Sequence, residues 1–479
     1  MTQYYPLRRV PQDVPRLELW RQVRPLFRPL LRSIRASALV KAVPSSSFLK
    51  EPLEERARQM GDAAVGQAQS VYFQTPGLDT MTVRLLARAG RTAVRIGRFD
   101  ARVRIALGRD SDGRLREQLS LLPRTGYDSL MVTGLAVGRA LGYFRGGRVH
   151  SVIWWDSADP DPGILRPLPP GHPRPAVRRF AAPETLADMA ADIDDLYWSE
   201  AYGQSLKITR VGRGEARRWL VSLPGTDHGG FESEANAADL EANLREELNM
   251  PSAIRVGVVE AIRNAMAADG IASTEMVNER VLVAGHSQGG MVAAALAAAD
   301  PKRIGFDVQG VLTMGSPTRR LRLRPEVQMV AFEHDQDVVP SLDGTPRREA
   351  DQRVVIKRKL QQPRRNPLFY AHSSSTYTAT VRATEQRHRV AAWGRAGRVL
   401  TALQDFLPQP GEETRITHHY TWQELIEPDQ GGPGSRIGEE FLRIRPPADW
   451  VPVSYEGEIA VPPVEPTVPD RAVSEVPNG

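Results

Sequence analysis

The chain has 479 residues, 41% of them hydrophobic and 25% charged, which is the balance of a globular protein with a sizeable core, and its length suits two or three domains of roughly 100–200 residues. It has no cysteine, which excludes disulfides, thiolate metal sites and a cysteine nucleophile. The net charge of +6 is unevenly spread: residues 1–50 hold ten Lys and Arg against Asp13 and Glu18, and the remainder sums to −2, so the basicity belongs to an N-terminal arm and nucleic acid is not an expected partner.

The arm, residues 1–50, interleaves Leu17, Trp20, Phe27, Leu30, Leu31 and Ile34 with Arg16, Arg21, Arg24, Arg28, Arg32 and Arg35, the pattern of an amphipathic helix broken at Pro25 and Pro29. Such a face either packs on its own protein or lies on an anionic membrane surface. No apolar run with a small-residue cleavage site opens the chain. The longest apolar stretch, 130–144, holds Arg139 and three glycines and falls short of the roughly 20 residues a spanning helix needs. The expectation is a cytoplasmic protein, peripheral to a membrane where the arm docks.

Residues 51–159 read as a mostly helical region, rich in Ala and Arg, with turn signals at Pro76-Gly77 and 110–113 and no motif that carries chemistry. Seven prolines in 160–175 predict a linker and a domain boundary. From 176 to 407 the text changes character. Pro183 opens a helix with Leu186, Met189, Ile193 and Leu196 on one face. Strand-like runs at 206–211 and 217–223 follow at hairpin spacing, with glycine in the turn at 212–215. Then come helices at 237–248 and 253–268, a strand at 280–284, a helix at 289–299, strands at 307–314 and 327–332, and a helical-looking segment at 387–406. The helix at 253–268 repeats Ile254, Val258, Ile262 and Met266, a face fit to cover a sheet. Alternation of this kind predicts an α/β fold: a mainly parallel sheet flanked by helices, with its site at the carboxyl ends of the strands. Residues 408–445 form a C-terminal extension. Residues 446–479 carry eight prolines and six Asp and Glu against Arg471, the composition of a disordered acidic tail.

One segment carries chemistry outright. In RVLVAGHSQGGMVAAALAAAD, 280–300, the pentapeptide Gly285-His286-Ser287-Gln288-Gly289 lies between an apolar strand and an alanine-rich helix. A nucleophilic serine on a sharp strand-to-helix turn needs minimal side chains two positions to either side, and here both are glycine. The turn aims the Ser287 hydroxyl off the sheet and sets the Gln288 N–H at a helix N-terminus, where unpaired amides stabilise a developing oxyanion. Such a serine needs a histidine base, and the candidates are His372, before a plausible helix, and its rivals His418 and His419. Nothing argues for a metal or a nucleotide: the sequence lacks H-E-x-x-H, G-x-x-x-x-G-K-[ST] and a dinucleotide-type glycine fingerprint. The chemistry needs no cofactor.

Here the sequence resembles the α/β-hydrolase superfamily, and within it the lipase and esterase branch, such as the fungal-type triacylglycerol lipases, over about 205–380. The resemblance implies roles for three more segments. In WLVSLPGTDHGG, 219–230, Thr226 matches the position that supplies a second oxyanion donor, and His228 lines the pocket. In GVLTMGSPTRR, 310–320, Gly315 to Pro317 form a structural turn, and Ser316 lacks the glycine a nucleophile there would need. In VQMVAFEHDQDVVPSLDG, 327–344, Asp337 matches the family's Asp-x-Val-Pro acid, with Asp335 as the alternative. The superfamily's triad order, Ser, Asp, His, puts the histidine after the acid: His372 comes 35 residues after Asp337, while fungal lipases place their histidine far downstream beside aromatics, which keeps His418 and His419 in play. His286 reads as a packing residue. The activity implied is hydrolysis of a small-molecule or lipid carboxylic ester by a serine hydrolase; thioester, amide and acyl-transfer chemistry use the same parts. A membrane-associated phospholipase-type effector and a non-catalytic binding protein on the same fold are the alternatives.

Overall fold

Four consecutive residues of 280–286 are fully buried, Val281 and Val283 in one apolar cluster and Leu282 and Ala284 in another. A strand that is apolar on both faces belongs inside a sheet covered twice, and this strand, β4 (Arg280–His286), lies well inside one. The computed structural model describes residues 143–425 apart from 146, 162–164, 198–202, 227–232, 234, 345–351, 362–366 and 389–393, with scattered helical positions between 82 and 138. The arm 1–50 and the tail 446–479 lie outside the described residues.

The strands are β1 (Gly147–Asp156), β2 (Gln204–Val211), β3 (Arg218–Leu223), β4, β5 (Asp307–Met314), β6 (Gln328–His334), β7 (Arg353–Arg358) and β8 (Thr414–Leu425). They form one sheet in the order β1-β8-β2-β3-β4-β5-β6-β7. From β3 to β7 every pairing is parallel, whereas β2 pairs antiparallel with both β3 and β8, and β8 antiparallel with β1. The architecture is α/β-hydrolase-like, a mixed and mostly parallel sheet between helices.

Among the described residues from 143 onward, eight α-helices follow in chain order: α1 (Leu186–Leu196), α2 (Leu240–Glu247), α3 (Ala253–Ala268), α4 (Gln288–Ala298), α5 (Pro301–Ile304), α6 (Pro367–His372), α7 (Ser374–His388) and α8 (Gly394–Gln404). The Ser252 hydroxyl starts α3 by accepting from the Arg255 N–H, satisfying one of the donors a helix start leaves orphaned. Ile254, Val258, Ile262 and Met266 of α3 then pack with Val292 and Leu296 of α4 against Val221, Val281, Val283 and Val311. On the other face α1, α7 and α8 bring Leu186, Ile193, Tyr377, Val381 and Leu400 onto Leu220, Leu282, Leu312 and Phe332. Each fully buried side chain of this size contributes about 1.5–3 kcal/mol.

Several elements differ from the sequence expectation, among them β7, a strand where none was expected. The helix expected at 237–248 is the shorter α2, because the Asp239 carboxylate accepts from the Ala242 N–H and fixes the start. The helical segment expected at 387–406 is divided between the end of α7 and α8. Residues 147–156, inside a stretch expected to be mostly helical, form β1, and 414–425, assigned to the C-terminal extension, form its partner β8. The sheet therefore runs across the proline-rich 160–175. Leu165, Leu168, Val177 and Phe180 explain how: they pack on Trp154, Trp155 and Tyr420, so the segment is a strap laid on the sheet rather than a spacer leading away from it.

Candidate active site

Ser287 is the single residue between β4 and α4, at φ 52° and ψ −121°. A side-chain-bearing residue in such a conformation costs roughly 1–3 kcal/mol and persists only where its surroundings hold it. The Ser287 N–H donates to the Met314 carbonyl at 2.9 Å, and the Gly290 N–H donates to the Ser287 carbonyl at 3.1 Å. The flanking glycines are steric requirements. A Cβ on Gly285 would lie 2.3 Å from the Gly289 carbonyl, and one on Gly289 would lie 2.4 Å from the Pro224 carbonyl oxygen. The start of α4 is thus pressed against the ends of β3 and β4, and the Ser287 side chain projects from that junction.

His372 ends α6 and reaches the junction from the β6 side. Its Nε2 lies 3.0 Å from Ser287 Oγ, and its Nδ1 lies 2.8 Å from Asp337 Oδ2. A carboxylate accepts only, so Nδ1 carries the proton and Nε2 is left to accept from the Ser287 hydroxyl. Asp337 is buried and takes two more donors, the Tyr377 hydroxyl at 2.8 Å and the Val339 N–H at 3.0 Å. Asp335, the alternative acid, instead pairs with Lys357, both half-buried. Burial and the neighbouring Asp337 push the Tyr377 phenol well above its usual value, which keeps it a hydrogen-bond donor.

Two further histidines hold the backbone on which His372 sits. Burial pushes His334 down to about 4 and His286 well below the usual imidazole range, so both rings are neutral near pH 7. His334 donates from Nδ1 to the Ala371 carbonyl at 2.7 Å and contacts Thr380 Oγ1 through Nε2 at 2.8 Å, its ring stacked on Tyr377 at 3.8 Å. His286 donates from Nε2 to the His372 carbonyl at 2.7 Å. The expectation of a simple packing role for His286 leaves out this bond. Successive carbonyls, 371 and 372, are each held by a buried neutral imidazole.

Gln288 is the first residue of α4, so its N–H belongs to the set that a helix leaves without an internal partner. Its side chain donates from Nε2 to the Asp239 carbonyl and to Asn243 Oδ1, both at 2.9 Å. Asn243 in turn donates from Nδ2 to Thr226 Oγ1 at 2.9 Å. The two residues expected to supply oxyanion donors, Thr226 and Gln288, are therefore tied together through one amide on α2. His228 lies outside the described residues. Ser316 donates its hydroxyl to the Met314 carbonyl at 3.1 Å in the turn that follows β5.

His418 and His419 are fully buried within β8, opposite Lys207 and Leu206 of β2. With β2 and β3 between β8 and β4, neither is brought to Ser287. Among the described residues no group of three or more His, Asp or Glu is placed to hold a metal. Four residues that the sequence did not single out belong to the site's frame: Tyr197, Asn243, His334 and Tyr377. Tyr377 had a local signal, standing one helical turn and a residue beyond His372. Tyr197 and Asn243 had none, since their partners are distant in sequence.

Residues 245–355, under a quarter of the chain, match the family described as PGAP1-like alpha/beta domain. This stretch is an α/β-hydrolase-superfamily domain of lipase and esterase type, running from the end of α2 to β7 and holding Ser287 and Asp337. The match is not to fungal-type lipases in particular, and it is narrower than the 205–380 over which the sequence resembles them. No curated protein and no solved structure matches the chain.

Proposed function

We propose that the chain is a serine hydrolase that cleaves a carboxylic ester through an acyl-enzyme, with Ser287 as nucleophile, His372 as general base and acid, and Asp337 as the acid partner. The observation that carries this reading is the continuous line from Ser287 Oγ through the His372 imidazole to the Asp337 carboxylate, at 3.0 and 2.8 Å. It begins at a strained turn between a buried strand and a helix N-terminus, where a nucleophile is exposed and oriented at once.

In the first half-reaction Ser287 Oγ bonds to the ester carbonyl carbon while its proton passes to His372 Nε2. The carbonyl π pair moves onto oxygen, where the N–H groups of Gln288 and Thr226 receive the charge; one such donor is typically worth about 3 kcal/mol in the transition state. Asp337 stabilises the imidazolium and keeps its tautomer. Collapse breaks the bond to the leaving alcohol, which takes the proton back from Nε2. Water then repeats the sequence on the acyl-enzyme, releasing the carboxylic acid and restoring Ser287.

The substrate class is a small-molecule or lipid ester, as is typical of the matched hydrolase family. Among the described residues no helix is long and apolar enough to cross a membrane. The test is labelling by a fluorophosphonate, with hydrolysis of p-nitrophenyl esters of increasing acyl length. Ser287→Ala is expected to remove both labelling and turnover, and full activity in that variant overturns the reading.

A further inference from the structure

The line from Ser287 to Asp337 leaves one buried chain of hydrogen bonds unused. The Gly225 N–H donates to the Tyr197 hydroxyl oxygen at 2.5 Å, and that hydroxyl lies 2.6 Å from His286 Nδ1. His286 Nε2 lies 2.7 Å from the His372 carbonyl oxygen. Because a carbonyl can only accept, Nε2 must hold the proton of the neutral ring, and Nδ1 must accept. The Tyr197 hydrogen therefore points at His286, and the Tyr197 oxygen is left to accept from Gly225. Every direction in the chain is fixed by its last acceptor.

Resting on the hydrolase reading above, we infer that Tyr197 and His286 are positioning residues that set the distance between the oxyanion donor at Thr226 and the base at His372. Each end of the chain fixes one of them. Gly225 immediately precedes Thr226, and it is held so close that an added Cβ would lie 2.5 Å from the Tyr197 oxygen and 2.7 Å from Ser287 Cβ. At the other end the bonded carbonyl is that of His372 itself. The middle member, His286, immediately precedes Ser287, and its ring centroid lies 4.7 Å from that of His372.

The outer anchor comes from the helix that connects β1 to β2. Tyr197 is the C-cap of α1, and the start of that helix is fixed by the buried Glu385 carboxylate of α7, which accepts from the Leu186 and Ala187 N–H groups at 2.9 Å each. The same α7 carries Tyr377, which holds Asp337. Both the oxyanion side and the acid side are thus referenced to α7. An apolar residue at 286 could fill the same volume. It would leave the His372 carbonyl and the Tyr197 hydroxyl without these partners, and the positions of the two reacting sides would no longer be coupled.

The test is Tyr197→Phe, which removes one oxygen and little volume. Its kcat for p-nitrophenyl butyrate is expected to fall about 10- to 100-fold with KM within about twofold, since misplacement by a fraction of an ångström acts on the transition state rather than on uniform binding. Thermal unfolding should stay close to that of the wild type. At position 286, Gln can both donate and accept, so His286→Gln is expected to keep at least about fivefold more kcat than His286→Leu. Wild-type kcat in Tyr197→Phe, equal losses in the two 286 variants, or a kcat that falls only in step with stability each overturns the inference. Fluorophosphonate labelling of the wild type separates the two readings. A wild type that does not label overturns the hydrolase assignment and the inference with it. A wild type that labels beside a fully active Tyr197→Phe overturns the inference alone.

Discussion

The two halves of the sheet use histidine in opposite ways. In the parallel half, His286, His334 and His372 stand at or beyond the carboxyl ends of strands, and each is bonded through both ring nitrogens to a named partner on another element. In the antiparallel half, His418 and His419 stand in mid-strand on β8, and the His418 ring lies 5.0–5.4 Å from Trp154, Trp155 and Phe180. Burial alone does not separate the groups, since His286, His334, His418 and His419 are all inaccessible. The difference lies in the strand ends, where successive loops converge and bring polar groups from distant parts of the chain within bonding distance. Mid-strand positions have only their ladder neighbours and the layer above.

The sharpest test of that contrast is a set of alanine variants across the two halves. His372→Ala is expected to lower kcat by about 10³-fold or more, whereas His418→Ala and His419→Ala should leave it within about threefold. The β8 variants should instead lower the melting temperature, because removing a buried ring from a packed layer opens a cavity. Turnover and stability curves measured on all three decide it: a collapse of kcat in either β8 variant with the fold intact breaks the comparison.

A smaller effect is expected at Asn243, the amide that joins Thr226 to Gln288. Asn243→Ala should cost about tenfold in kcat, less than loss of an oxyanion donor itself, because it only frees the donors to move. Its effect on the fluorophosphonate labelling rate should match that on kcat. Unchanged labelling would remove Asn243 from the oxyanion frame.

The smallest effects are in stability against pH, and they carry opposite signs in the two regions. Burial pushes Asp239, the cap of α2, up to about 7, against about 3.9 in an unfolded chain. Its folded-state preference is for the protonated form, so its contribution is complete below about pH 4 and is lost as pH rises through 7. Burial pushes His419 down to about 3, against about 6.5 unfolded, so its contribution is present above about pH 6.5 and is lost as pH falls toward 3. Denaturant midpoints followed from pH 3 to 9 should show Asp239→Asn flattening the alkaline loss and His419→Gln flattening the acid loss. Identical profiles for both variants and the wild type would show that neither group titrates as its burial implies.

How legible each part was in the sequence follows the same division. The segment from β4 to α4 is readable because its signals are local: a strand apolar on both faces, a pentapeptide with glycines where backbones touch, and a helix of alanines. The order of strands and helices between β2 and β6 is readable for the same reason. β1, β7 and β8 are not. GRVHSVIWWD, RVVIKR and TRITHHYTWQEL mix charge with apolar residues, and their identity as strands comes from partners far away in the chain. At the site, Ser287 announces itself through the steric demands of its turn. The choice between His372 and His418 or His419 was open from the residues alone, because chain order limits the base to a position after the acid and says nothing of which loop returns to β4. Tyr197 and Asn243 were illegible for a simpler reason: a lone tyrosine or asparagine carries no pattern until the fold supplies its neighbours.

The position of β8 between β1 and β2 also imposes a timetable. On the ribosome β1 and β2 emerge early, and the five parallel strands with Ser287 and His372 can assemble while the last strand is still being made. β1 pairs with β8 and with no other strand, its Gly147 lying opposite Leu425. Until residues 414–425 arrive, β1 has no sheet to join and β2 presents an open edge of the kind that recruits chaperones or foreign strands. A nascent chain stalled before β8 would hold Ser287, Asp337 and His372 beside an open strand edge.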